Sequence, residues 1–226
     1  MTGGIGEQRE SALHKALKDL YSRSNDVLEA RVGTYVVDIL ADHEIIEVQT
    51  SGFSSIRGKL KVLLASHSVR LVHPIAAMKF LVMLDDRGRV LRRRRSPKRG
   101  RIEDLFDELR WICDIVMEPR FHLEIAMVEV EEFRCADGNG SWRRGGVSVK
   151  DRKLGRLISR EVFDGPDDYL ELVPADLDEP FDHEDMAGCL GMPVHKARIM
   201  SYCLRRMGAL RISGKRGNWL LMERVR

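Results

Sequence analysis

Asp38 and Glu47 are the residues of this sequence whose types and spacing most suggest chemistry. Each carboxylate lies in a run of β-branched residues, where the interior of a strand normally avoids a charge. If Asp42-His43 forms a two-residue turn, Asp38 pairs with Glu47 across a β-hairpin. The sequence therefore predicts two acidic side chains facing each other on one sheet face.

In that register the two carboxylates have Cβ atoms roughly 4.5–5.5 Å apart, and Val36 pairs with Gln49 one step further along. Like charges so close destabilise a sheet unless a positive group lies between them. A divalent cation is the simplest such group. The alternative is a half-exposed hairpin whose charges are solvated and whose register is slipped by one residue.

Six elements that would position this pair are predicted over the first third of the chain. Their order is α-β-β-β-α-β, and each follows from apolar periodicity and flanking turn residues. They cover a helix over 7–21, a strand over 27–32, the two strands of the hairpin, a helix over 51–66 and a short buried strand over 69–75.

This order, with Asp38 followed by Glu47-Val48-Gln49 on the central hairpin, resembles the PD-(D/E)xK nuclease superfamily. The resemblance implies a restriction-endonuclease-like α/β core, in which a central mixed sheet is flanked by helices. It further implies that Asp38 and Glu47 are metal ligands for Mg²⁺ or Mn²⁺ and that Gln49 holds the position of the family's lysine. Glu10, on the first helix, is the matching candidate to complete the catalytic set.

Two departures from the family pattern bear on activity. Val37 replaces the proline before the aspartate, which matters little because the family is loose there. Gln49 can hydrogen-bond a water but brings no positive charge to the developing phosphorane oxygens. Lys59 or Lys61, on the next predicted helix, could supply that charge, although exposed lysines on helices more often face solvent.

A dense basic run follows a hairpin that is predicted over 80–84 and 89–92. Seven of the ten residues in 92–101 are basic, and Pro97 and Gly100 argue against a regular element, so an extended loop is expected. Such runs bind polyanions or act as localisation signals, and the alternative is a merely solvated loop. The DNA-binding candidates here are Arg92, Arg93, Arg94, Arg95, Lys98, Arg99 and Arg101.

Periodicity predicts a helix over 102–116, a strand over 122–133 and a helix over 151–163. Two domains are expected, a nuclease-like domain over 1–149 and a second over 150–226, with the boundary within 147–151.

The last 75 residues or so resemble a winged helix-turn-helix. Asp182 is a good N-cap for a helix that runs to Leu190, Gly191 ends it, a second helix covers 195–207, and a hairpin joins 210–213 to 219–223. The resemblance implies base contacts from the start of the second helix and phosphate contacts from its end and from the wing. The alternative is a domain that contacts only proteins. The residues concerned are His195, Lys196, Arg198, Arg205, Arg206, Lys215 and Arg216.

The composition excludes several classes of protein. At 226 residues and 43% hydrophobic content the chain can bury a core, and no stretch approaches the roughly 18 apolar residues of a membrane helix. The net charge is only +3, so a DNA partner must be argued from where the charge is clustered. The four cysteines show no CxxC spacing, which favours reduced thiols. A soluble, cytoplasmic protein is expected.

These observations favour a metal-dependent DNA endonuclease whose winged helix presents the substrate. Mg²⁺ held by carboxylates would orient and acidify the attacking water. A homodimer, in which each chain cuts one strand, is one arrangement that the site allows. The competing hypothesis is a catalytically inactive nuclease-like protein that binds DNA or regulates another protein, with Gln49 as the trace of lost catalysis.

Overall fold

A computed structural model describes residues 11–142 and 145–225. Within these residues seven strands form one mixed sheet in the order β1-β2-β3-β4-β6-β7, and β5 pairs with the far half of β4. The strands are β1 (Val27–Val32), β2 (Tyr35–Leu40), β3 (Glu44–Val48), β4 (Ser68–Leu84), β5 (Val90–Arg95), β6 (Phe121–Cys135) and β7 (Ser148–Phe163). Both β3 and β6 run parallel to β4, and the other pairs are antiparallel.

Helices cover both faces of the sheet. Helix α1 (Ala12–Tyr21) buries Leu13 and Leu17 against one face, in a cluster with Val48 and Val128. Helix α2 (Phe53–Leu64) buries its apolar stripe on the other face, in the larger core. The expected mixed α/β architecture is therefore confirmed, and none of the described helices is both long and apolar enough to cross a membrane.

Local signals explain where both helices begin. The Ser11 hydroxyl accepts a hydrogen bond from the His14 amide (3.2 Å), so α1 has an ordinary N-cap. The start of α2 has no side-chain cap of its own, and the Glu108 carboxylate accepts from the amides of Gly52 and Phe53, both at 2.9 Å. A carboxylate there also stabilises the positive end of the helix dipole. The part of the predicted first helix before residue 11, including Glu10, lies outside the described residues.

Strand β4 joins two strands that were predicted separately, over 69–75 and 80–84. It passes through Pro74, which normally excludes a central strand. The Gln49 amide donates to Val72 O (2.9 Å), so Val72 faces β3, and Pro74, two residues later, faces the same side. The Gln49 backbone carbonyl, which an amide at position 74 would bond in a continued ladder, lies 2.7 Å from His73 Nδ1 instead.

Strand β5 contains Arg92–Arg95, so the extended loop expected over 92–101 is wrong for its first four residues. The chain then returns along β4, where Ser96 N donates to Lys79 O (2.8 Å) and Gly100 N donates to Ala76 O (2.9 Å). A Cβ at Gly100 would lie 2.6 Å from Ile75 Cγ2 and 2.8 Å from Ala76 O, so this close approach requires glycine. We call residues 96–101 the return segment.

The helix expected over 102–116 is present only at its start. A 3-10 helix (Ile102–Leu105) leads into α3 (Phe106–Leu109), and tight turns follow. Several later amides bond the carbonyl three residues back, as Ile112 N does to Leu109 O (2.9 Å) and Ile115 N to Ile112 O (2.8 Å). The apolar residues of 105–116 are nevertheless buried in the larger core, except for Trp111, which is half exposed.

The helix expected over 151–163 is wrong, because these residues belong to β7. The register shifts against β6 around Gly155, so that Leu154 pairs with Val130 and Leu157 with Val128. This bulge puts two leucines three residues apart on one face, a spacing that imitates a helix. The expected boundary between 149 and 150 falls inside β7, and the division into two domains stays a prediction.

The C-terminal elements follow the expected order. Helix α4 (Pro166–Leu170) precedes α5 (His183–Leu190), α6 (Val194–Arg206) and a hairpin of β8 (Leu210–Arg216) and β9 (Trp219–Arg224). Asp182 caps α5 by accepting from the amides of Glu184 (2.8 Å) and Asp185 (3.0 Å), and Gly191 ends it with φ of 59°. These elements share the larger core with α2 and α3.

Candidate functional site

Asp38 and Glu47 lie together where the hairpin of β2 and β3 opens. The paired residues of this hairpin are Ile39 with Ile46 and Leu40 with Ile45. At the next position, where Asp38 lies opposite Glu47, hydrogen bonds from backbone amides to side chains replace the backbone ladder. Asp38 N donates to Glu47 Oε1 (3.3 Å), and Val48 N donates to Asp38 Oδ2 (2.8 Å). The two carboxylates are therefore neighbours, as the predicted register required.

Two helices bring basic side chains to this pair. Lys59 of α2 places Nζ 2.7 Å from Glu47 Oε2, and His14 of α1 places Nε2 3.3 Å from Asp38 Oδ1. The Glu47 side chain is 3% exposed and that of Asp38 17%. Lys59 is one of the two lysines considered from the sequence. His14 was missed, and only its position on the helix that packs over the hairpin could have suggested it.

The two carboxyls differ in their readiness to ionise. Burial, only partly offset by the Lys59 ammonium, raises the pKa of Glu47 to about 7. Burial would also raise the pKa of Asp38, but the hydrogen bonds from His14 and the Val48 amide outweigh it and hold that pKa below its usual value. At neutral pH an ionised carboxyl and one that is about half protonated therefore lie side by side.

The expected third position is not part of this cluster. The Gln49 side chain donates from Nε2 to Ser51 O (2.6 Å), and the backbone carbonyl oxygen of Gln49 lies 2.7 Å from His73 Nδ1. The expected pairing of Val36 with Gln49 is not formed, because the ladder between β2 and β3 ends at Ile39 and Ile46. Lys61 forms an ion pair with Asp114 (2.9 Å). A positive charge therefore comes from Lys59 and not from position 49.

The basic run splits into two groups. Arg92, Arg93, Arg94 and Arg95 are exposed on β5, and Lys98 and Arg99 are exposed on the return segment. Arg101 is held differently: its guanidinium donates to Leu190 O (2.7 Å) and forms an ion pair with Glu103 (2.9 Å). The side chain of Arg101 thereby fastens the return segment to the end of α5.

Several basic residues of the C-terminal segment are bound internally. Lys196 forms ion pairs with Asp104 and Asp107, and Arg216 with Asp182 and Asp185. The Arg205 Nε atom is buried and has no hydrogen-bond partner among the described residues.

The remaining candidates of that segment are exposed. They are His195, Arg198, Arg206 and Lys215, and the Arg198 guanidinium lies 5.4 Å from the ring centre of Trp219. Only these four of the seven predicted residues are therefore open to a ligand without a change of partner.

Comparison with known proteins gives a family and no activity. The family model described as "Domain of unknown function (DUF8091)" matches residues 11–164. An uncharacterized protein of Treponema pallidum (strain Nichols) is 31% identical over 221 residues, which is 97% of this chain and 87% of that protein. No solved structure gives a significant match.

Proposed function

The chain belongs to the DUF8091 family, and we propose that it is a metal-dependent DNA endonuclease with a restriction-endonuclease-like core. The observation that carries the proposal is the contact of Lys59 Nζ with Glu47 Oε2 (2.7 Å), next to Asp38. Two carboxylates and one ammonium, the groups that a phosphodiesterase site of this kind needs, thus converge from three elements. The missing lysine of position 49 has a counterpart on α2.

The donor set suits Mg²⁺ or Mn²⁺, because Asp38 and Glu47 offer carboxylate oxygens, which both ions prefer. Among the described residues no group of three or more His, Cys, Asp or Glu side chains is arranged to hold a metal. Two ligands are nevertheless sufficient for Mg²⁺, which keeps several waters and commonly binds one or two carboxylates. Such an ion supplies an acidified, oriented water as the nucleophile.

The chain's own residues would orient and stabilise the reacting phosphate. His14 and the Val48 amide fix the Asp38 carboxylate from two directions. Lys59 would share its ammonium with a non-bridging phosphate oxygen as negative charge develops there. Glu47, with its pKa near 7, would ionise as the cation approaches.

We further propose that α5, α6, β8 and β9 form a winged helix that holds the substrate. Its contacts would come from the exposed His195, Arg198, Arg206 and Lys215, with Lys196 and Arg216 serving the fold. A homodimer would place one site on each strand of a duplex.

A second candidate function, DNA binding without catalysis, has a specific observation in its favour. All four carboxylate oxygens of Asp38 and Glu47 already accept a protein partner: His14, Val48 N, Asp38 N and Lys59. The arrangement of these side chains is therefore held by protein hydrogen bonds and needs no metal.

Cleavage of supercoiled plasmid with Mg²⁺ or Mn²⁺ tests the proposal. Asp38→Ala and Glu47→Ala should each lower the cleavage rate at least about 100-fold, because each removes a ligand. Lys61→Ala, on the same helix as Lys59 but paired with Asp114, is the matched control and should cut like the wild type. Wild-type protein that cuts no nucleic acid with any divalent metal would contradict the proposed catalysis and favour the second function, and equal cleavage by all variants would expose a contaminant.

A further inference from the structure

The far halves of β4 and β6 extend the sheet beyond its helix-covered part. With β5 and the start of β7 they form a four-stranded sheet over 79–84, 90–95, 129–135 and 148–154, which we call the platform. Residues in register across a sheet share a face. Two rows on one face are Arg94-Leu81-Glu132-Arg152 and Arg92-Met83-Arg134-Val149.

This face continues the surface on which α1 packs. Val130 and Leu154 occupy the preceding row with Lys79, and both apolar residues belong to the core cluster of α1. We call it the α1 face. The rows on the opposite face are Arg95-Phe80-Glu131-Lys153 and Arg93-Val82-Phe133-Asp151.

The two faces carry very different charge. The rows of the α1 face contain five cations and one carboxylate, that of Glu132, which gives a net charge of +4. The rows of the opposite face contain three cations and two carboxylates. Arg93 is bound to Glu131 (2.8 Å), and the Asp151 carboxylate accepts from the Ala12 amide at the start of α1 (3.3 Å). The basic residues of the α1 face are Lys79, Arg92, Arg94, Arg134 and Arg152.

Glu132 holds three of these cations in place. Its carboxylate lies 2.6 Å from Arg134, 3.1 Å from Arg152 and 3.5 Å from Lys79. One carboxylate cannot neutralise three cations, so a surplus charge remains at a fixed position. Such fixed cations bind a polyanion with little loss of side-chain entropy.

Arg92 and Arg94 add two more charges that no acid within the described residues neutralises. Next to them along the chain, Lys98 and Arg99 are exposed on the return segment alongside β4. On the other side, a cavity of about 730 Å³ extends from Arg152 past Lys15 to Thr50, one residue after Gln49. The positive charge of the platform therefore borders a cavity that reaches the residues just after β3.

We propose that the α1 face of the platform binds the phosphate backbone of duplex DNA. This inference rests on the proposed function for the choice of DNA among polyanions. The cations of β5 and β7 are three strand spacings apart, about 14 Å. That width is close to the roughly 12 Å of the major groove, so the two edges can contact phosphates of opposite strands.

The side chains of this face argue against a single strand. Proteins that hold single strands stack bases on aromatic rings. None of the described residues on the α1 face of the platform is aromatic, whereas Phe80 and Phe133 lie on the opposite face under Arg93 and Lys153. Trp142, 85% exposed, is on the loop between β6 and β7 and outside the platform.

Two double variants of the full chain, which remove equal charge from the same strand, test the proposal. Binding of a 20-base-pair duplex is measured by fluorescence anisotropy in EDTA, so that no hydrolysis occurs. Arg92→Ala with Arg94→Ala should weaken binding at least about tenfold at 0.1 M salt. The slope of log K against log salt should fall by about 1.8, since each phosphate contact contributes about 0.9. Arg93→Ala with Arg95→Ala should change the slope by less than half of that.

Three results would overturn the proposal: equal losses in both double variants, tighter binding of a single strand or of duplex RNA than of duplex DNA, or no binding by the wild type. Melting temperatures show whether the fold is intact. Arg92→Ala with Arg94→Ala should stay within about 2 °C of the wild type, and Arg93→Ala with Arg95→Ala, which loses the contacts with Glu131 and Phe80, within about 4 °C. Hydrolysis of bis(4-nitrophenyl) phosphate by the wild type with Mg²⁺ or Mn²⁺ is measured separately. Its absence would contradict the proposed catalysis while leaving the binding result as it stands.

Discussion

Glu47 and Glu132 are both 2% exposed, yet the pKa values of their carboxyls are shifted in opposite directions. Glu47 has one ammonium beside it and a second carboxyl next to it, and its pKa is raised by burial to about 7. At Glu132 burial acts in the same direction, but Arg134, Lys79 and Arg152 outweigh it and lower the pKa to about 2. The larger desolvation of Glu47 and the larger number of cations around Glu132 together decide the outcome.

The difference is consistent with the two proposals above, in which the two regions bind ligands of opposite charge. The site at Asp38 and Glu47 lacks positive charge, so a further cation would relieve it. The platform has positive charge in excess after Glu132 is neutralised, so it favours an anion. A metal ion and a phosphate backbone are complementary to these two regions in turn.

The largest expected effect is on the pH dependence of stability through Glu47. A carboxyl with a folded-state pKa of about 7 and an ordinary value of 4.5 keeps its stabilising proton below pH 4.5 and loses that stabilisation as the pH rises through 7. In EDTA the contribution amounts to about 3 kcal/mol. Glu47→Gln, which imitates the protonated form, should match the wild type at pH 4.5 and exceed its free energy of unfolding at pH 8. Urea titrations at the two pH values measure this, and identical pH profiles would contradict it.

Glu132→Gln should change the free energy of unfolding in the opposite direction and lower it at neutral pH. A carboxyl whose folded-state pKa is lowered to about 2 contributes stability that is present above pH 4.5 and is lost as the pH falls through 2. Its partners are about a quarter to a half exposed, so solvent screening limits the loss at pH 7 to about 1–2 kcal/mol. The same urea titrations at pH 7 and pH 2.5 should show a gap between variant and wild type that closes on acidification. A variant as stable as the wild type at pH 7 would remove Glu132 from the organisation of the platform.

Lys196→Ala should have the smallest effect and would separate bound cations from available ones. Lys196 pairs with Asp104 and Asp107, so its loss should lower the free energy of unfolding by about 1 kcal/mol and the melting temperature by about 2–4 °C. Duplex affinity in EDTA should stay within about twofold. Calorimetry and anisotropy on one preparation provide both numbers, and a large loss of affinity with an unchanged melting temperature would return Lys196 to the DNA-binding surface.

The sequence predicted the neighbourhood of Asp38 and Glu47 because that prediction needed only local information. Alternation along two short strands and a turn at Asp42-His43 fix which side chains meet. Lys59 and His14 arrive from helices, and their approach depends on packing that periodicity does not describe.

The prediction failed where tertiary pairing changes the local period. In β7 a bulge near Gly155 brings Leu154 and Leu157 to one face, which local periodicity interprets as a helix. For Arg92–Arg95, charge density favoured a loop, but pairing with β4 provides backbone hydrogen bonds, and exposure on β5 leaves every arginine solvated. The sequence likewise did not show which C-terminal cations are already bound within the protein. Lys196 is bound by Asp104 and Asp107, which are far away along the chain, and Arg216 by Asp182 and Asp185 at the start of α5.

The anchoring of the return segment has a consequence for the speed of recognition. Ser96 and Gly100 bond β4, and Arg101 bonds the end of α5, so the stretch that carries Lys98 and Arg99 is held at both ends. A basic loop that is free before binding must search for its bound conformation during the encounter, and the association rate falls accordingly. Here Lys98 and Arg99 are held on a fixed backbone, so the proposed encounter with DNA would be governed by electrostatic steering and should slow steeply as salt is added.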